Sequence, residues 1–154
     1  MSLLDSLKKN NILVKPAAKN RWDMIEEMVE LAAKNKDIPA EDAEAIKNAL
    51  IEREKSMSTG IGNGVAIPHC STTKVSEITT VMALSPKGIN FEAIDNEPVK
   101  IIILLIVPKD KLTQHIKTLA NIAKMMSDVK LREEILSLKT ADAILKTLKN
   151  YTLP

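Results

Sequence analysis

The sequence has few of the residues that mark several common classes of protein. Only one of its 154 residues is a cysteine, Cys70, so we expect neither an internal disulfide nor a zinc cluster, and a reducing compartment, the cytoplasm, is predicted. The longest apolar run, Ile101 to Val107, is far shorter than the ~20 residues that span a bilayer. The N-terminal segment MSLLDSLKKN lacks the apolar stretch of a secretion signal. These absences predict a protein that is not stably inserted in a membrane.

Aromatic residues and net charge are also scarce. The three aromatic residues are Trp22, Phe91 and Tyr151, and the formal net charge is +2. Proteins that bind nucleic acids usually present a basic field and stacking rings, so no nucleic-acid partner is expected. No acidic cluster with metal-ligand spacing accompanies the two histidines. Two histidines leave metal hydrolysis open, but the sequence identifies no third ligand, and we predict no metal and no other cofactor.

The length and the periodicity predict a single α/β domain over residues 1–154. Apolar spacing predicts a helix over Arg21–Lys34 with Asn20 as its N-cap, and another over Ala40–Lys55 after Pro39. Strands are predicted at 12–14, on an edge, and at 65–68, 78–84 and 99–107, with a turn at 86–88.

The last third of the chain is predicted to be helical. A first helix starts around Leu112, and helices over Val129–Leu138 and Thr140–Leu148 follow, the last capped by Thr140. The first of these has a predicted apolar face made of Leu112, Ile116, Leu119, Ala123 and Met126. Helices on both sides of a few strands indicate a sheet sandwiched between helical layers.

A glycine-containing segment, predicted to be a loop, separates the second helix from the next strand. Gly60, Gly62 and Gly64 alternate with other residues, which permits positive φ angles and close approach of the backbone to another group. Successive N–H groups in such a segment can form an anion-binding nest, and Ser58 and Thr59 add hydroxyl donors beside it. The alternative is that the glycines only form a tight turn, and spacing alone does not decide between the two.

Two nucleotide-binding motifs are excluded for this segment. The dinucleotide fingerprint requires a sixth-position glycine, where this chain has Val65. The P-loop requires a Gly-Lys-Ser/Thr triplet, which the chain does not contain.

Both histidines of the chain follow predicted strands. His69 comes after a short apolar strand and Pro68, and a neutral imidazole there is a candidate nucleophile that can form a covalent intermediate. His115 lies near the start of the helix after the buried strand, where the helix dipole favours anions. Taken alone, each is more often a structural histidine. Together with Arg53 and the glycine segment they can handle a phosphoryl group, as nucleophile, imidazole partner and guanidinium clamp.

Three stretches resemble one known family. The segment REKSMSTGIGNGVAIPH, from Arg53 to His69, is similar to the signature of enzyme IIA domains of the fructose/mannitol class (type 2) of the bacterial phosphoenolpyruvate-dependent phosphotransferase system. FEAIDNEPV, from Phe91 to Val99, and the stretch from Leu105 to His115 are also similar. The resemblance covers nearly the whole chain, and STGIGNG and FEAIDNEPV most resemble the nitrogen-regulatory branch, which is not a step in sugar uptake.

The resemblance implies a mixed sheet between helical layers and a phosphohistidine carrier. It implies that His69 is phosphorylated by a histidine-phosphorylated carrier, HPr or its nitrogen-branch counterpart, and that His115 and Arg53 are active-site residues. Two alternatives remain: a sugar-specific component that passes the group to a IIB/IIC permease, and a regulatory module whose target proteins recognise its phosphorylation state. The chain departs from the family at Cys70 and Met57, where glycine is common. A cysteine at position 70 could crowd the loop or make the site redox-sensitive. The alternative, which we favour, is that Cys70 is a tolerated variation.

Overall fold

One mixed sheet organises the computed structural model, which describes residues 3–151. Within this range the strands are β1 (Leu7–Leu13), β2 (Gly60–Gly62), β3 (Val65–Ala66), β4 (His69–Thr72), β5 (Thr79–Ile89) and β6 (Val99–Pro108). Their order is β1-β5-β6-β3-β2, and β4 also pairs with β6. β5 and β6 are antiparallel, whereas β1 is parallel to β5, and β3 and β4 are parallel to β6. The predicted edge strand is β1, which starts five residues before the predicted 12–14 and ends one residue earlier.

The helices are α1 (Leu3–Ser6), α2 (Arg21–Lys34), α3 (Ala43–Ser56), α4 (Leu112–Met126), α5 (Val129–Ser137) and α6 (Ala141–Asn150). Helices α2 to α6 begin and end close to the predicted positions, whereas the short helix α1 was not predicted. The Asn20 side chain accepts the N–H of Asp23, which confirms the predicted N-cap of α2. Thr140 likewise accepts the N–H of Ala143 and caps α6. These caps satisfy N–H groups that the helix itself leaves unpaired.

Two hydrophobic clusters lie on opposite faces of the sheet. Alternate residues of β5 divide between them, with Val81 and Ala83 packing toward α2 and α3, and Met82 and Leu84 toward α4, α5 and α6. β6 divides in the same way and is buried on both faces, as its continuous apolar run predicts. The predicted sheet between helical layers is therefore confirmed. No helix among residues 3–151 has the length and apolar character needed to cross a bilayer.

The predicted turn at Pro86-Lys87-Gly88 is wrong, because these residues lie inside β5. Leu84 pairs with Ile101 and Ile89 pairs with Val99, so the residues between them form a bulge. A proline has no N–H for the ladder and is tolerated in a strand at such an irregularity. The turn residues therefore bend the strand without ending it.

The predicted apolar face of α4 is confirmed only in part, because Met126 is buried and Leu119 packs against the core, but Leu112, Ile116 and Ala123 are exposed. The buried residues are His115, Thr118, Ile122 and Met126, whereas Leu112 and Ile116 are 58% and 60% exposed. Both sets of positions have helical spacing, so periodicity alone does not choose between them. Packing against the sheet sets the rotation of α4, and it buries the face that carries His115.

Candidate functional site

The backbone around His69 forms an interrupted strand. β3 and β4 pair with β6 in one continuous register, Val65↔Ile101, Ala66↔Ile102 and His69↔Leu105. Pro68 interrupts this strand because it has no N–H, although its carbonyl accepts the N–H of Leu105 at 2.9 Å. His69 therefore follows the short apolar strand β3 and Pro68, as predicted, although the strand continues beyond it. His69 begins β4, at the point where regular pairing resumes.

The His69 ring is held in one tautomer. Its Nδ1 lies 2.8 Å from the carbonyl oxygen of Ile67. A carbonyl oxygen only accepts hydrogen bonds, so Nδ1 carries the proton and Nε2 keeps a free lone pair. Burial lowers the pKa of His69, and the positive charge of Arg53 lowers it further, against opposing contributions from the Ile67 hydrogen bond and from Glu54. The ring is therefore mostly neutral at pH 7, and Nε2 is the ring nitrogen with a free lone pair.

The structure brings His115 against His69. The two ring centroids are 5.1 Å apart, with the ring planes tilted by 50°. His115 is 7% exposed, and its Nδ1 is buried without a hydrogen-bond partner among the described residues. Burial lowers the pKa of His115, and repulsion from His69 adds to this effect. A buried ring nitrogen without a partner is uncommon, and it is typical of a site that awaits a ligand or a partner group.

Arg53 lies near the His69 ring, on the last turn of α3. Its Nη1 donates to the carbonyl of Met57 at 2.8 Å, and its charge acts on the pKa of His69. The described residues contain no group of three or more histidine, cysteine or acidic side chains that could hold a metal ion. The chemistry available at the site is therefore that of two imidazoles and a guanidinium.

The glycine segment is more ordered than the predicted loop. Gly60–Gly62 forms β2, which pairs with β3 in an antiparallel hairpin. Gly62 and Gly64 have φ angles of +95° and +75° at the turn. A Cβ at Gly60 would lie 2.7 Å from the Cβ of Ala93, so close packing against the 91–98 segment excludes a larger residue there. Both a turn and a close backbone approach therefore require these glycines.

The donors of this segment already have internal partners. Asn63 donates its N–H to Asp95 Oδ2 at 3.0 Å, and Gly60 donates to Ser58 Oγ at 3.0 Å. The Ser58 hydroxyl donates to the Phe91 carbonyl. A phosphate that used Ser58 or the Gly60 N–H would have to displace these contacts.

Glu54, to which no role was assigned from the sequence, holds the start of the glycine segment through hydrogen bonds to Thr59. Its side chain is fully buried and accepts the N–H of Thr59 at 3.0 Å and the Thr59 hydroxyl. Arg21 Nη1 contacts the same carboxylate at 3.3 Å and donates to the Phe91 carbonyl at 3.0 Å. Stacking on Trp22, 4.3 Å away, also holds the Arg21 guanidinium. A signal did exist: Glu54 continues the i, i+4 spacing of Ile46 and Leu50 on the apolar face of α3.

Cys70 lies on the opposite face of the sheet from His115. Its side chain packs in the cluster that contains α2 and α3, and burial raises its pKa to about 12. A thiol with this pKa stays protonated at neutral pH and reacts slowly. This geometry favours tolerated variation over redox sensitivity at Cys70.

Several large apolar side chains of the segments that carry the site residues are exposed. They are Met57, Ile61, Ile94, Leu112 and Ile116. Ile94 is 86% and Met57 70% exposed, although both are large and apolar. We call these five residues the apolar rim.

This fold, with paired imidazoles beside a glycine hairpin, matches a family of phosphotransfer proteins. Residues 5–151 match the family described as "Phosphoenolpyruvate-dependent sugar phosphotransferase system, EIIA 2", and the chain belongs to that family. The structure is similar to that of the nitrogen regulatory protein IIA-Ntr from Neisseria meningitidis, with a TM-score of 0.85 and 27% identity over 95% of this chain and 98% of that one.

Among its relatives, the chain is similar to both branches of the family. It is 34% identical to a nitrogen regulatory protein of Bradyrhizobium diazoefficiens, over 77% of this chain and 78% of that protein. It is 26% identical to the fructose-specific EIIABC component of Bacillus subtilis over 98% of its own length, but it spans only 24% of that protein. A complex of the mannitol IIA with phosphorylated IIB from Escherichia coli has the same fold, with a TM-score of 0.76 and 21% identity over 95% of this chain and 99% of that one.

Proposed function

We propose that this chain is a cytoplasmic phosphohistidine carrier of the phosphoenolpyruvate-dependent phosphotransferase system. The hydrogen bond from His69 Nδ1 to the Ile67 carbonyl carries the proposal, because it leaves the Nε2 lone pair free. Nε2 attacks the phosphorus of a histidine-phosphorylated donor, HPr or its nitrogen-branch counterpart. The bond between phosphorus and the donor nitrogen breaks, and its electron pair returns to the donor ring. The reverse displacement passes the group to an acceptor.

Arg53 and His115 stabilise the transferred group in this proposal. Phosphoryl transfer depends mainly on positioning and on stabilising charge at the phosphoryl oxygens. The Arg53 guanidinium supplies positive charge beside His69, where its effect on the pKa of that ring supports close proximity. The His115 ring, centred 5.1 Å from the His69 ring, donates a hydrogen bond to a phosphoryl oxygen.

The glycine hairpin has a supporting role. The hairpin places Ser58, Thr59, Gly60, Gly62 and Gly64 in the segment that leads to His69. We propose that a phosphoryl group on His69 takes up donors from this segment. Because several of these donors have internal partners, phosphorylation changes the hydrogen bonding of the hairpin.

The nitrogen-regulatory branch is the favoured assignment, because STGIGNG and FEAIDNEPV resemble it and the IIA-Ntr structure covers nearly the whole chain. In that role, phosphorylation adds about −1.5 to −2 charges at neutral pH beside the apolar rim, which alters its affinity for regulatory target proteins. The second candidate is a sugar-specific IIA component that donates to a IIB domain. The mannitol IIA–phosphorylated IIB complex, which shares this fold, favours it.

A labelling experiment tests the carrier function. We expect the chain to acquire label from phosphoenolpyruvate when enzyme I and the histidine carrier are supplied, and His69→Ala to acquire none. His115→Ala is expected to accept label but to hold it or pass it on poorly. Label retained by a folded His69→Ala variant would contradict the proposal. Transfer onward to a IIB domain, with sugar phosphorylation by reconstituted membranes, would favour the sugar-specific candidate.

A further inference from the structure

A cavity lies away from the two histidines, at the carboxyl ends of the parallel strands β1 and β5. It has a volume of 760 Å³ and is bounded by residues 14–19, residues 84–89 and residues 136–139. Thr80 of β5 and His69 lie at the same height along the sheet, because both pair with Leu105 of β6. The first β5 residue that lines the cavity is Leu84. At ~3.3 Å per residue, the cavity starts about 13 Å further along the strand. It is therefore separate from the proposed phosphoryl site.

The rim of the cavity is positively charged. Four of its lining residues are exposed lysines, Lys15, Lys19, Lys87 and Lys139, and no lining residue is acidic. None of the four forms an ion pair with a carboxylate among the described residues. They come from three separate segments of the chain, so the fold alone gathers them. A net charge of +2 for the whole chain makes this local concentration unusual.

The interior of the cavity is apolar and formed by ordered backbone. Val14, Leu136 and Leu138 are partly buried aliphatic residues of its lining, whereas the lining residues Leu84 and Ile89 are almost fully buried in the core. The carboxylate of Glu27 accepts the N–H groups of Ala17 and Ala18 and so fixes the 14–19 segment. The β5 bulge brings Lys87 to the same opening. The volume lies within the ~300–1,000 Å³ of small-molecule pockets, which are usually apolar with a few polar groups at fixed positions.

We propose that this cavity binds a small phosphate-bearing molecule with an apolar body. The phosphate lies among the four lysines, which act as point charges toward it, and the apolar body lies against the aliphatic interior. The carboxyl ends of strands are also where open α/β sheets commonly bind ligands. The protein therefore has a ligand site apart from His69, and its occupancy does not depend on the phosphoryl-carrier function.

Titration of the full chain with phenyl phosphate, inorganic phosphate and phenol tests this proposal. Binding is measured by calorimetry, and its location by amide chemical shifts in nuclear magnetic resonance spectra. We expect saturable binding of phenyl phosphate, shifts at Gly88 and Lys139, and an affinity at least about tenfold above that of either fragment, or ~1.4 kcal/mol. The affinity falls as salt rises, because the lysines are exposed.

Two variants with equal charge loss separate a specific site from general attraction. One changes the four cavity lysines to glutamine, as Lys15→Gln, Lys19→Gln, Lys87→Gln and Lys139→Gln. The matched control changes four exposed lysines outside the cavity, as Lys9→Gln, Lys36→Gln, Lys124→Gln and Lys149→Gln. Circular dichroism verifies that both are folded.

We expect the cavity variant to lose about tenfold or more in affinity for phenyl phosphate and the control to keep it. Equal losses in the two variants would overturn the proposal, as would shifts confined to Gly60–Gly64 and His69 or no saturable binding to the wild-type chain. Labelling of His69 is expected to be unchanged in both variants, so failure of the carrier proposal and failure of this one are distinguishable.

Discussion

The buried carboxylate of Glu54 offers a direct test of how the glycine hairpin is held. In Glu54→Ala, the buried N–H of Thr59 loses its acceptor, and Arg21, whose side chain is 14% exposed, loses the carboxylate at 3.3 Å. Removing one partner of a buried ion pair typically destabilises by about 3–5 kcal/mol. Because ~1 kcal/mol corresponds to about 2–4 °C for a chain of this size, we expect the melting temperature to fall by roughly 10 °C.

Glu54→Gln separates charge from hydrogen bonding at the same position. The amide oxygen can still accept from Arg21 and Thr59 N, while the Thr59 hydroxyl reorients to accept from the amide. Since hydrogen bonds to charged groups contribute about 1.5–3 kcal/mol and neutral ones about 0.5–1.5, we expect a smaller loss of about 1–2 kcal/mol.

Urea denaturation followed by circular dichroism measures the free energy of unfolding for each variant. Glu52→Ala is the matched control, since Glu52 is an exposed residue of the same helix. We expect this control to stay within about 0.5 kcal/mol of wild type. If Glu54→Ala is no less stable than Glu52→Ala, Glu54 does not anchor the hairpin and the reasoning fails.

Three further predictions concern the histidines, Gly60 and Cys70. In a nuclear magnetic resonance titration, His69 and His115 should both protonate below the usual histidine pKa of 6.5, and a pKa at or above 6.5 would refute this. Because the unfolded chain binds more protons than the folded one in this range, the free energy of unfolding falls as the pH drops through 6.5. Gly60→Ala should lower the free energy of unfolding by about 1–3 kcal/mol in urea denaturation, because the new methyl group meets Ala93; an unchanged value would refute the contact. Cys70 should resist thiol reagents in the folded protein and react once guanidinium unfolds it, and equal rates would refute its burial.

Local signals were sufficient for helices α2 to α6 and for the layered architecture. Asn20 and Thr140 cap the helices that the spacing of apolar residues predicts, because capping depends on a side chain and backbone only a few residues apart. The continuous apolar run of β6 similarly identifies a strand covered on both faces. The resemblance of residues 53–69 to the enzyme IIA signature led to the family that the comparison then showed.

Two features that depend on long-range pairing were missed. The 86–88 segment has the composition of a turn, yet pairing of Ile89 with Val99 continues the strand beyond it. The strand before His69 was predicted to end at Pro68, whereas β6 supplies partners on both sides of that proline and pairing resumes at His69. In both cases, hydrogen bonds to a strand distant in sequence decide the local structure.

The residue types of the candidate site, its glycine spacing and most of the elements that carry them could be read from the amino-acid sequence. How those residues face one another became visible only in the folded structure. It fixed the rotation of α4 that buries His115 beside His69, the tautomer set by the Ile67 carbonyl, and the role of Glu54 beneath the hairpin. It also brought four lysines from three segments around one cavity. The physical reason is that periodicity constrains each element separately, whereas contacts between elements depend on how they pack on the sheet.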